Sequence, residues 1–180
     1  MTQSVELLLD DAADREIRAQ WDRLGDAGLP TSRRSTPMTS HAPHVTLWAG
    51  DAVDPADDAA LPGLFADLDL ELVVGSVMLF GPIRGSYVLV RAVVGSAALL
   101  GLQQSVVRTL RTRAYGGFED GRWSPHVTLA RRVGADQVGR SLTVLAGSPP
   151  ELPTRVRQAR RWDSDAKQAW SLTPGSDRRF

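Results

Sequence analysis

The pentapeptide Pro43-His44-Val45-Thr46-Leu47 recurs unchanged as Pro125–Leu129, 82 residues further along the chain. An identical five-residue match should arise by chance in roughly one chain of this length in two hundred, so the repeat indicates an internal duplication. It uses two of the three histidines of the protein, and histidine is the side chain whose proton moves near neutral pH. The repeat therefore predicts one site in which two imidazoles and two hydroxyl groups meet.

Each copy of the pentapeptide has the alternation of a β-strand, which we predict over residues 43–49 and 125–131. Successive side chains of a strand point to opposite faces. In each copy, the histidine and the threonine therefore share one face, and the valine and leucine face the core. The same alternation predicts that Trp48 continues the polar face of the first copy. We expect the two polar faces to line a common groove.

The composition limits the classes of function. The length of 180 residues fits a single domain, 1–180, with two small lobes that share a core. Lysine plus arginine and aspartate plus glutamate both number 21, so phosphate recognition must be local rather than driven by net charge. The chain has no cysteine, which excludes thiol catalysis and the usual zinc clusters, and we expect no cofactor. Without a signal-peptide or membrane-span pattern, we predict a cytoplasmic location and infer no obligate protein partner.

Strands and helices are predicted to alternate in two passes, each of which includes one copy of the pentapeptide. Apolar residues at spacings of three and four indicate a helix over residues 10–27, with a buried stripe formed by Ile17, Trp21 and Leu24. A second clear helix is predicted from residue 96 to about residue 113. The other predicted strands are residues 5–9, 70–80 and 87–94, and a C-terminal hairpin is predicted from residues 154–162 and 168–173.

The two motifs His44–Leu47 and His126–Leu129 make the chain resemble the two-histidine (2H) phosphoesterases, which include the bacterial 2′–5′ RNA ligase-like proteins and cyclic phosphodiesterases. The signature of that superfamily is a pair of His-x-Thr/Ser-hydrophobic motifs at about the separation found here. The resemblance implies an α+β fold of two βαβ-type lobes with mainly antiparallel sheets, related by a pseudo-twofold axis and flanking a central groove. It also implies phosphodiesterase activity on RNA 3′ ends or small cyclic nucleotides.

The repeated side chains suit the opening of a 2′,3′-cyclic phosphate without a metal. A base must deprotonate the attacking water and an acid must protonate the departing ribose oxygen, and His44 and His126 can do both. The hydroxyls of Thr46 and Thr128 can donate to the phosphoryl oxygens. The sequence leaves open which histidine is the acid. It also leaves open RNA 2′–5′ end joining, which reverses related chemistry, and non-catalytic binding of RNA or nucleotides.

Six further side chains are predicted to bind substrate, the arginines through phosphate and the tryptophans by stacking on a base: Arg131, Arg132, Arg33, Arg34, Trp48 and Trp123. Arg33 and Arg34 lie in a loop, Leu29–Ala42, that is either a solvated connector or a flap over the phosphate. His41 would face away from His44. A metal site formed by His41, His44 and His126 is a weaker alternative, because an obvious fourth ligand is missing.

Overall fold

The computed structural model describes residues 2–34, 41–119 and 121–175 and shows an α+β fold. Residues 35–40 of the predicted arginine-bearing loop lie outside this description. The strands are β1 (Gln3–Leu8), β2 (His44–Gly50), β3 (Leu70–Ile83), β4 (Ser86–Val93), β5 (His126–Val133), β6 (Leu152–Val156), β7 (Gln158–Asp163) and β8 (Gln168–Ser171). The helices are α1 (Asp11–Asp26), α2 (Pro55–Ala60), α3 (Ala97–Thr109) and α4 (Ala135–Leu145), with a 3-10 helix at Leu61–Phe65.

The strands form one antiparallel sheet in the order β6-β3-β4-β5-β2-β1-β7-β8, which confirms the predicted fold class. The two motif strands are neighbours at its centre, where Val45 pairs with Val127. We call β2, β1, β7 and β8 the first half-sheet, and β5, β4, β3 and β6 the second half-sheet. In each, one helix connects the motif strand to its neighbour, as β1-α1-β2 and as β4-α3-β5. That the whole chain forms one domain stays a prediction.

The two long helices begin at side-chain caps and cross between the half-sheets. Asp10 caps α1 by accepting the backbone N–H groups of the second and third helical residues, and Ser96 caps α3. The predicted apolar stripe of α1 is buried, as expected. α3 ends at Thr109, four residues before its predicted end. α1 packs on β5 and α4, whereas α3 packs on β2, so each helix covers the motif strand of the other half-sheet.

The predicted C-terminal hairpin is wrong in its first strand. Residues 152–163 form two strands that are separated by Arg157. β6 pairs with β3 in the second half-sheet, whereas β7 pairs with β1 in the first. An alternating pattern records which face a side chain occupies, but it does not record a change of partner strand. The crossing between the half-sheets is therefore invisible in the pattern of residues 154–162.

The first motif strand contains a β-bulge at Leu47. Thr46 pairs with Glu6 on β1. Trp48 pairs with Val5, so Leu47 is the extra residue between the two pairs. A bulge turns the side chains that follow it to the other face. Trp48 is consequently fully buried in the core with Val5, and the prediction that it stacks on a substrate base is wrong.

The second motif strand has the same bulge at the equivalent leucine, Leu129. Thr128 pairs with Val90 on β4. Ala130 pairs with Leu89, and both side chains are fully buried. The duplication therefore includes the bulge, and in both copies the alternation of polar and apolar faces ends at the threonine.

Candidate active site

The fold brings the two predicted histidine–threonine pairs together on one face of the sheet. The antiparallel register at the two motif valines places His44 across from Thr128, and Thr46 across from His126. All four side chains are partly exposed, whereas the valines beside them are fully buried. Within the described residues, neither threonine hydroxyl bonds to another protein group. Both hydroxyls can therefore donate to a ligand.

Both imidazoles are oriented by the same local hydrogen bond. The Nδ1 atom of His44 lies 2.7 Å from the carbonyl oxygen of Ala42, and that of His126 lies 2.8 Å from the carbonyl oxygen of Ser124. A carbonyl oxygen only accepts, so Nδ1 has the hydrogen in each ring. A neutral ring in this tautomer can accept a proton at Nε2. Each histidine therefore uses Nδ1 for orientation and keeps Nε2 for chemistry.

The carboxylate of Glu6 lies against His44. Its Oε1 atom lies 3.5 Å from Nε2 of His44, whose side chain is 29% exposed. The Oε1 atom also accepts a 2.7 Å hydrogen bond from the Ser4 hydroxyl, and Oε2 accepts two N–H groups of Arg160 at 2.8 Å. Burial alone would raise the pKa of Glu6, but the charges of His44 and Arg160 and these hydrogen bonds lower it. A protonated His44 therefore has an anionic acceptor within reach.

His126 has different surroundings. The edge of its ring contacts Phe80, with the two ring centroids 4.8 Å apart. Burial lowers the pKa of His126, and the nearby charges of Arg131 and His44 lower it further, although the bond to Ser124 opposes the shift. The neutral form of His126 is therefore favoured near neutral pH.

A cleft of about 250 Å³ opens beside His44. His44 lines this cleft, whereas His126 does not. Polar and aromatic side chains of the first half-sheet, of β5 and of the segment around the loop also line it: Glu6, Arg160, Trp162, Thr128, Arg131, Ser32, Arg34 and His41. Three arginines face one carboxylate in this set, so the cleft is locally positive although the chain has no net charge.

The four predicted arginines differ in position. Arg34 and Arg131 line the cleft, and neither forms an ion pair within the described residues. Arg33 instead pairs with α1, where its guanidinium lies 2.7 Å from Asp26. Arg132 is exposed, has a positive φ of 58°, and does not line the cleft. Only the first two are therefore placed to bind a phosphate in the cleft.

Two tryptophans connect the motif strands to the rest of the protein. The indole N–H of Trp123 donates to the carbonyl oxygen of Thr46 at 3.0 Å. The indole N–H of Trp21 donates to the carbonyl oxygen of Thr128, also at 3.0 Å. Trp123 packs against the core and does not line the cleft, so its position does not support the predicted stacking on a base.

Sequence reasoning missed several cleft residues, among them three from β1 and β7. Glu6 is the one charged residue in the apolar run Val5–Leu9, which is a signal that could have identified it. Arg160 pairs with Glu6 across β1 and β7, and Trp162 pairs with Ser4 one step further along. Neither has a local signal, because each lies more than 150 residues from its partner along the chain.

His41 takes part in the wall of the cleft. Its Nε2 atom lies 2.7 Å from the carbonyl oxygen of Ser32, and its ring stacks on Trp21 with centroids 5.0 Å apart. Burial lowers the pKa of His41. Across residues 2–34, 41–119 and 121–175, no group of three or more histidine, aspartate or glutamate side chains is arranged to hold a metal ion. The alternative metal site of three histidines is therefore not formed by these residues.

The paired His-x-Thr strands at the centre of an antiparallel sheet define the class of 2H phosphoesterases. The sequence matches the 2′-5′ RNA ligase superfamily over residues 11–168, and the chain belongs to that superfamily. No curated protein sequence matches the chain. In the part of the chain that the structure describes, no helix is long and apolar enough to span a membrane.

Solved structures with very different sequences share this fold. TT0787 from Thermus thermophilus superposes with a TM-score of 0.57 at 18% identity, covering 96% of this chain and 95% of that one. E. coli LigT complexed with 3′-AMP gives a TM-score of 0.54 at 17% identity, covering 99% and 92%. Usb1 from Kluyveromyces marxianus gives 0.54 at 12% identity, covering 95% and 97%. At these identities, the likeness establishes the fold alone.

Proposed function

We propose that the protein is a metal-independent phosphodiesterase that hydrolyses the 2′,3′-cyclic phosphates of RNA ends or small nucleotides by two-histidine acid–base catalysis. The observation that carries this proposal is the shared face on which two imidazoles keep Nε2 available beside two unbonded threonine hydroxyls. Membership of the superfamily supports it. So do the nucleotide complexes of two proteins with this fold, LigT with 3′-AMP and Usb1 with uridine monophosphate.

In the proposed reaction, His126 is the base and His44 is the acid. A base must begin the reaction neutral, and burial favours the neutral form of His126. An acid must begin it protonated, and His44 is the histidine with a carboxylate within reach. Water would lose its proton to Nε2 of His126 and attack phosphorus. The departing ribose oxygen would take the proton from Nε2 of His44.

The position of the cleft supports the same assignment. The ribose oxygen departs on the side of the acid, so the nucleoside must lie on the side of His44. That is where the protein has a cleft, and His126 does not line it. Trp162 would offer a surface for the base, and Arg34 and Arg131 would attract the phosphate. The two threonine hydroxyls would donate to the phosphoryl oxygens, where negative charge increases in the transition state.

The test is a panel of 2′,3′-cyclic nucleotides and oligonucleotides ending in a cyclic phosphate, incubated with the protein and EDTA, with the products identified. We expect ring opening to continue in EDTA, because every proposed acid, base and donor is a side chain. Activity that disappears in EDTA and returns with a divalent ion would refute the metal-independent mechanism. A His44→Ala/His126→Ala double variant is the matched control for contaminating phosphodiesterases.

The same panel separates the two alternatives. Adding an oligonucleotide with a free 5′-hydroxyl tests for RNA 2′–5′ end joining, which would give a longer product instead of an opened ring. Binding of the cyclic phosphates without turnover would instead indicate a non-catalytic RNA- or nucleotide-binding protein. The cytoplasmic location and the lack of an obligate protein partner stay predictions.

A further inference from the structure

Glu6 occupies a position that the fold does not require to be charged. The second half-sheet provides the comparison, because it has the same register around its own motif strand. Glu6 pairs with Thr46 on one side and with Arg160 on the other. The equivalent residue beside Thr128 is Val90. An apolar residue therefore satisfies the fold at this position.

Arg160, which pairs with Glu6, also has an apolar equivalent in the second half-sheet. Arg160 lies on the third strand of the first half-sheet, and Met78 is its equivalent in the second, where it pairs with Val90. A buried ion pair thus stands where the other half has an apolar pair. Buried ion pairs are weak evidence for stability, because desolvation of both charges offsets their attraction. A functional reason for this pair is therefore the better explanation.

The functional reason is that the two oxygens of the Glu6 carboxylate have different partners. Arg160 binds Oε2 with two N–H groups, and this anchors that oxygen of the carboxylate. Oε1 is left to face the Ser4 hydroxyl and Nε2 of His44. Nε2 is also the atom of His44 that must give its proton to the substrate, because Nδ1 is bonded to a backbone carbonyl.

We propose that Glu6, fixed by Arg160, is a positioning residue that holds the Nε2 proton of His44 on the empty enzyme and so makes His44 the acid. This inference rests on the proposed function. When substrate binds, the N–H of His44 turns from Oε1 of Glu6 to the departing ribose oxygen and gives up its proton there. Glu6 stays ionised throughout.

The other charged groups around this pair come from β7, β5 and the cleft wall. Glu6 and His44 face Arg160 on β7, and His126 and Arg131 lie on β5. The cleft wall adds Arg34 and His41. Glu6 is the only carboxylate among the described residues that line the cleft. The other ionisable groups there are cationic or can become so. Their positive charges would oppose protonation of the His44 ring.

The decisive variant is Glu6→Gln, which keeps the shape and one acceptor but removes the charge. We expect the descending limb of the pH–rate profile to move to lower pH by about one unit, with about a tenfold loss of rate at pH values above the limb. At acidic pH the rate should approach that of the wild type. A loss of rate that is equal at all pH values would show a purely structural role and would overturn the proposal.

Glu6→Gln leaves the buried Arg160 without its charged partner, and this could destabilise the folded protein. Two further variants keep the test valid in that case. Glu6→Val/Arg160→Met copies the apolar pair that the second half-sheet has at these positions. This double variant should fold, and the descending limb of its pH–rate profile should also move to lower pH. Ser4→Ala removes the other donor to Oε1 but keeps the charge, and it should leave the limb in place.

A measurement without substrate separates this proposal from the proposed function. Protonation of the His44 ring can be followed by NMR in the ligand-free wild type and in Glu6→Gln. We expect the ring to lose its proton at lower pH in the variant. An unchanged titration would overturn the role of Glu6 even if cyclic phosphates are hydrolysed. A shifted titration in a protein without turnover would instead contradict only the proposed reaction.

Discussion

The two half-sheets present the same pentapeptide in the same geometry to different neighbours. Both histidines bond through Nδ1 to a carbonyl two residues earlier, and both motif strands have a bulge at the leucine. Beside the first motif lie Glu6 and Arg160, whereas beside the second lie Val90 and Met78. The next residues on the same face of those outer strands are aromatic in both halves, Trp162 and Phe80.

This difference teaches that duplication supplies two equivalent imidazoles, and that strands outside the motif make them unequal. The Glu6 carboxylate lies within reach of Nε2 of His44, whereas His126 contacts Phe80 and burial lowers its pKa. Two groups with different protonation preferences are what acid–base catalysis needs. The following predictions, from the largest expected effect to the smallest, test how far the two halves differ.

The strongest test removes one imidazole at a time. His44→Ala and His126→Ala should each lower the rate on a 2′,3′-cyclic phosphate by at least about a hundredfold, with little change in thermal unfolding. A phosphodiester with a 4-nitrophenolate leaving group, which departs without a proton, should restore much of the rate to His44→Ala but not to His126→Ala. Restoration of the other variant would reverse the assigned roles, and near-normal turnover by either would make that histidine structural.

The two threonines should have the same role, because donation by their hydroxyls does not depend on the strands that differ between the half-sheets. Thr46→Val and Thr128→Val should each lower the rate by roughly ten- to a thousandfold, because one donor to the phosphoryl oxygens is lost. Valine keeps the β-branched volume, and Thr→Ser variants are controls that keep the hydroxyl. The bell shape of the pH profile should persist in all four variants. A profile that changes shape would assign a threonine to proton transfer instead of anion binding.

The arginines test whether phosphate binding is confined to the cleft beside His44. Arg34→Ala and Arg131→Ala should each raise KM by about tenfold or more, as expected when a hydrogen bond to a charged group is lost. Arg33→Ala is the matched control, because its guanidinium is paired with Asp26 on α1 and should leave KM unchanged. Steady-state kinetics at fixed ionic strength measure all three. An equal effect of Arg33→Ala would show that phosphate binding is not confined to the cleft.

The smallest effect should come from the aromatic pair. Phe80→Ala admits water to His126, whose pKa is lowered chiefly by burial, so its pKa should rise towards the ordinary value. The ascending limb of the rate profile requires neutral His126, and it should move to higher pH by roughly half a unit. Trp162→Ala is the equivalent change in the first half-sheet. It should raise KM and leave the ascending limb in place, and a shift in both variants would contradict a specific effect on His126.

Much of the central arrangement could be predicted from the sequence. The repeat identified the strands of His44 and His126, and strand alternation identified the shared face of each histidine–threonine pair. Strand alternation predicted the wrong face for Trp48. A bulge depends on how two strands pair, and the pattern of one strand does not reveal it. The cleft could not be predicted from the sequence for a related reason. Glu6, Arg160 and Trp162 meet only through the pairing of β1 with β7.

The bulge at Leu47 and Leu129 also governs how the motif could change over evolutionary time. The position after it contains a tryptophan in one copy and an alanine in the other, so the bulge is compatible with side chains of very different size. The distance from the histidine to the bulge is the same in both copies. Losing or gaining one residue there would rotate every later side chain to the wrong face. In the duplicated strand, length is therefore a stricter constraint than identity, and insertions and deletions should be tolerated less than substitutions.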